Sequence, residues 1–79
     1  MRKAIGSSEH RRLCALLRKH RVDARLNQAE LAERLDVPQS FISKYESGQR
    51  RLDLVELHQI CDAVGVRLVD VVAAVSGPR

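Results

Sequence analysis

Apolar residues recur through most of the chain at the three-to-four spacing of helices that bury one face. Leu13, Leu16 and Leu17 form a first stripe, with His20 on the same face as a core or boundary residue. Leu31 and Leu35 lie one turn apart on a second, and Ile42 and Tyr45 follow at i, i+3 on a third. Leu54, Leu57, Ile60, Cys61 and Val64 predict the buried face of a fourth helix. Leu68, Val71, Val72 and Val75 predict a fifth stripe directed to the core, with Val69 and Ala73 left on a second face. Valine is only a fair helix former, so a strand is conceivable at this last segment, but no other segment offers a pairing strand. The ends of the helices are signalled as well. Ser7 or Ser8 can cap a first helix running to about Ala24, Asn27 with Glu30 and Asp53 with Glu56 have the form of reciprocal caps, and Gly48 and Gly65 suit helix ends. The expectation is an all-α, compact five-helix domain spanning 1–79. Its core covers about 7–75, between a short N-terminal arm, 1–6, and a C-terminal tail, 76–79.

Residues 28–47 carry the functional signal. They read as two short helices joined by a tight turn, with the small Ala32 where a bulky side chain would hold the helices apart. That is the pattern of a helix-turn-helix, a motif that mainly reads DNA. At about 100° per residue, Gln39, Ser40, Ser43 and Lys44 share one arc of the second helix, while Phe41, Ile42 and Tyr45 fill the opposite one. Glu, Lys and Ala would favour an exposed helical face more strongly. A glutamine, two serines and a lysine, with no acid among them, suit contacts to base edges and phosphates instead.

Charge sharpens this picture. The net charge of +4 is unevenly spread: residues 1–25 hold eight Lys/Arg against Glu9 and Asp23, and residues 38–52 hold Lys44, Arg50 and Arg51 against Glu46. The intervening and final segments are net acidic, so positive charge gathers on the first helix and the third, as a polyanion partner would require. At 79 residues the core is modest, and association would help it. No apolar run approaches the roughly 20 residues of a membrane helix, and the basic N-terminus lacks the apolar stretch of a signal peptide. A soluble cytoplasmic protein, nucleoid-associated through DNA, is expected. Cys14 and Cys61 lie on or beside apolar stripes and read as buried free thiols. His58 and Cys61 at i, i+3 make half a metal site with no second half, so no metal or other cofactor is expected. Paired carboxylates in an apolar setting, a nucleophile beside a histidine and a Gly-rich phosphate loop are all lacking, which argues against an enzyme.

From about Leu13 to Val75 the chain resembles the phage lambda repressor and Cro helix-turn-helix superfamily, also called the XRE family. The resemblance is carried by Leu26-Asn-Gln28, Ala29-Glu-Leu-Ala-Glu-Arg-Leu35, Val37-Pro-Gln-Ser-Phe-Ile-Ser-Lys-Tyr-Glu-Ser-Gly48 and Leu57…Ile60…Ala63-Val-Gly65-Val66. It implies a lambda-repressor-like fold in which helices 2 and 3 form the helix-turn-helix. It also implies that Gln28 anchors to a DNA phosphate and buttresses the recognition helix. By the same resemblance Gln39, Ser40 and Lys44 occupy base-reading positions, and Ser43 can reach a base or a phosphate. Ser47, Gln49, Arg50 and Arg51 match the loop that lies along the DNA backbone, and Arg21 matches an arginine that pairs with the glutamate at Glu46. The family usually has Gly at the positions of Arg25 and Asp36, which favour positive φ. Asp tolerates that conformation moderately and Arg less, so each turn is expected to be shifted or slightly strained.

Together these readings point to a sequence-specific double-stranded DNA-binding transcriptional regulator. A repressor acting as a homodimer on a palindromic operator through the major groove is expected, with Val69, Val72 and Ala73 as the dimer interface. The alternative is a protein-interaction module of the same fold, an antitoxin with a toxin partner or an adaptor. An adaptor that had lost DNA binding should carry acids or bulky apolar residues in the recognition arc, and this arc has neither.

Overall fold

Local capping sets where each helix begins. In the computed structural model, which describes residues 7–77, the helices are α1 Ser8–Asp23, α2 Gln28–Leu35, α3 Gln39–Glu46, α4 Leu54–Val64 and α5 Leu68–Ser76, with no strand among the described residues. The arm expected over 1–6 and the last two residues of the tail, 78–79, lie outside the described residues. Ser7 accepts from the His10 N–H at 3.0 Å. Asn27 with Glu30, and Asp53 with Glu56, each form the reciprocal box, with both bonds between 2.7 and 2.9 Å. α3 has no side-chain cap; Pro38, at φ −65°, sets its entry.

Arg25 and Asp36 both take left-handed geometry, with φ 63° and 57°. The turns are therefore strained rather than shifted, at a cost of roughly 1–2 kcal/mol for a non-glycine residue, with Asp36 the more tolerant. What holds them there is the helix-end bonding: Leu26 N–H donates to the Arg21 carbonyl, and Val37 N–H donates to the Ala32 carbonyl.

Leu17, Leu31, Ile42, Tyr45 and Ile60 are wholly buried at the centre, with Ala32, Leu57, Cys61, Val64 and Val71 around them. α1 lies against α3, α4 and α5, and α2 lies against α3 and α4. Cys14 and Cys61 are buried free thiols, as expected.

Two core assignments are corrected. Leu54 is 67% exposed, because it opens α4 in a first turn, shared with the equally bare Val55, that no other element covers. Val72 is 46% exposed. With Val71 pointing inward and Leu68 and Val75 flanking it, a rotation of about 100° carries Val72 off the stripe and onto the outer face with Val69.

Candidate nucleic-acid interface

α3 divides into two faces as its arcs predict. Ile42 and Tyr45 are wholly buried, whereas Gln39, Ser40, Ser43 and Lys44 are exposed side by side. Burial of the first pair forces the second set outward, since a single helix cannot hide both. The Ser43 hydroxyl donates to the Ser40 carbonyl at 3.2 Å, and the Ser47 hydroxyl to the Lys44 carbonyl at 3.0 Å. Each oxygen keeps lone pairs free for an incoming donor. The Lys44 and Arg51 side chains have no partner among the described residues, so their charges are available to an anion. Ser47, Gln49 and Arg51 stand exposed in the loop that leaves α3, which turns at Gly48 (φ 85°).

Behind this face runs a polar brace. Arg21 donates to Glu46 through Nε at 2.7 Å and through its second nitrogen at 3.0 Å, while its remaining nitrogen donates to the Leu26 carbonyl at 2.8 Å. The paired side chains are 10% and 4% exposed. The Glu46 hydrogen bond outweighs burial and raises the Arg21 pKa further above its already high value. Gln28 adds its amide N–H to Glu46 at 3.1 Å and accepts from the Gln39 amide at 3.4 Å. A continuous chain of hydrogen bonds thus joins α1 and α2 to the first residue of α3. Arg21 has three donors engaged and almost no exposed surface.

Two further ties carry no signal in the sequence pattern. His10 Nε2 lies 3.2 Å from the Gly48 carbonyl and 3.7 Å from the Cys14 sulfur, a contact that links α1 to the end of α3. Arg50 is the other. Its guanidinium donates twice to Glu56, at 3.1 and 2.9 Å, and once to the Arg51 carbonyl at 2.8 Å. It also lies over the Phe41 ring, 4.4 Å from the centroid. The bonds from Arg50, then that from the Asp53 N–H, hold the Glu56 carboxyl below its ordinary pKa. Of the four loop residues expected along a DNA backbone, Arg50 is therefore the one whose charge is already paired within the protein, although its side chain stays 38% exposed.

Residues 12–75 match a family model described as a helix-turn-helix domain. No curated protein matches the chain. Among solved structures the chain is similar to an XRE-family like protein from Pseudomonas syringae pv. tomato str. DC3000. The TM-score is 0.83 and the identity 36%, covering 87% of this chain and 84% of that one. It is also similar to the clp gene regulator ClgR from Corynebacterium glutamicum, with a TM-score of 0.80 and 30% identity over 90% of this chain and 76% of that one. A further ClgR structure gives 0.80 and 31%, covering 95% of this chain and 96% of that one.

Proposed function

The chain belongs to the XRE-type helix-turn-helix family of DNA-binding transcriptional regulators, and from that premise we propose that it is a repressor acting as a homodimer on a palindromic operator. The observation that carries this reading is the exposed Gln39, Ser40, Ser43 and Lys44 arc on a helix whose other face is wholly buried. In the major groove Gln39 takes adenine bidentately, Lys44 reaches guanine acceptors, and the two serines meet a base or a phosphate. Gln28, Ser47, Gln49 and Arg51 contact the backbone and set the register.

One such domain covers only a few base pairs, whereas two recognition helices about 34 Å apart reach successive major grooves. The outer face of α5 supports pairing: Val69 is 55% and Val72 46% exposed, with Ala73 bare beside them.

The test is selection of bound sites from a random DNA pool, followed by titration of the winner at several salt concentrations. The expected result is a palindromic consensus bound roughly 10³-fold or more above random DNA. Gln39→Ala should weaken that site by about 1–3 kcal/mol and blur its sequence preference. Absence of any enriched site would overturn the reading.

A further inference from the structure

The loop after the recognition helix carries two adjacent arginines in opposite situations. Arg51 is exposed and has no partner among the described residues, while Arg50 is bound on two sides. We propose that Arg50 is a positioning residue that fixes α3 against the start of α4, and is not one of the phosphate contacts. The inference rests on the DNA-binding reading above.

Four observations converge on it. First, α3 has no side-chain cap and packs on α1 and α2. Where it approaches α4 there is a cleft of about 90 Å³, bounded by Val37, Phe41, Glu56 and Ile60 among others, so direct packing leaves that side of the helix incompletely held. Second, Arg50 lies over Phe41, and Phe41 meets Tyr45 edge-on with ring centroids 5.7 Å apart, so the stack continues into the core. Third, the acceptor of Arg50 is itself fixed. The Glu56 carboxylate also receives the Asp53 N–H at 2.9 Å in the box that starts α4. Fourth, moving Arg50 to a phosphate would break a two-bond pair and leave the Glu56 carboxylate uncompensated beside a polyanion. The guanidinium is suited to the bracing task because it is planar, donates in a fork and lies flat on a ring, whereas an ammonium offers ring and carboxylate only a point charge.

The experiment compares full-chain variants on the selected site and on an unrelated duplex across a salt series. Arg51→Gln is the reference for a lost phosphate contact, and should make the salt slope of the homodimer shallower by about 1.8, roughly 0.9 for each protomer. Arg50→Gln and Arg50→Lys should instead act alike, lowering the ratio of selected-site to unrelated binding by roughly two- to fivefold with the slope unchanged. Glu56→Gln keeps an acceptor for the Asp53 N–H and should lower the same ratio. Wild-type behaviour of Arg50→Lys together with a shallower slope for Arg50→Gln would overturn the proposal. Tighter binding and a steeper slope for Glu56→Gln would do so too, since that variant would then have released a phosphate ligand.

A wild-type protein that prefers no site would defeat the DNA-binding reading by itself. The brace is judged separately, by urea unfolding of Arg50→Lys, Phe41→Leu and the double variant. Coupling of roughly twofold or more in the unfolding constant supports it, and independent effects overturn it.

Discussion

Removing one partner of the Arg21–Glu46 pair should cost more stability than any other single polar change in this protein. The two side chains are 10% and 4% exposed, so neither charge left alone can recover its hydration. Breaking such a buried pair costs about 3–5 kcal/mol. The lower end applies here, because after Arg21→Met the Gln28 amide still donates to Glu46, and after Glu46→Leu the Leu26 carbonyl still accepts from Arg21. A chain of 79 residues has roughly 4–12 kcal/mol of total stability, so either variant forfeits a quarter or more of it. The double variant leaves no buried charge. Its main penalties are the Gln28 amide losing its acceptor and the Leu26 carbonyl losing its donor, about 1 kcal/mol each, partly offset by apolar packing. The two single effects should therefore exceed the double effect by about 3 kcal/mol or more. Urea unfolding followed by far-ultraviolet circular dichroism measures all four corners of the cycle. Additive effects, or single losses below about 1 kcal/mol, would refute the argument and make the pair equivalent to a surface salt bridge. High salt should change the wild-type value little, because buried charges are weakly screened.

Three other outcomes are expected. Val69→Asp should shift the protein toward monomer in sedimentation while leaving its circular dichroism intact; an undisturbed dimer would move the interface elsewhere, to the bare Leu54 and Val55 for instance. Tyr45→Phe removes a buried hydroxyl that has no hydrogen-bond partner, so thermal unfolding should show a stability unchanged or raised by up to about 1–3 kcal/mol, and a clear loss would mean the hydroxyl is bonded after all. Burial raises the Cys14 and Cys61 thiols above their ordinary pKa, so their contribution is fully present below about pH 8.5 and is lost as pH rises beyond it, at up to about 1.4 kcal/mol per pH unit for each group. Tyr45, raised chiefly by burial, adds to the decline above about pH 10. Denaturation between pH 8 and 11 should show that slope, and Cys14→Ser with Cys61→Ser should flatten its first part.

Whatever depends on neighbours three or four residues apart was legible in the chain alone. The caps at Asn27–Glu30 and Asp53–Glu56, the stripes of α1 to α4 apart from Leu54, and the division of α3 into a buried and a polar face follow from helical geometry that sequence spacing encodes directly. The Arg21–Glu46 pair spans 25 residues and was legible only through the family pattern, because periodicity says which face a residue occupies but not what stands opposite. Leu54 and Val72 were misplaced for a related reason: an apolar residue at the right spacing is buried only if another element covers it, and a domain this small runs out of cover at the start of α4 and on the outer side of α5. Arg50 and Arg51 are adjacent and chemically identical, and nothing local separates them. The distinction between an internal brace and a free cation came from the path of the loop, which carries Arg50 to Glu56 and Phe41 and leaves Arg51 in solvent. Tertiary structure alone decided that, because it alone sets which groups meet through space.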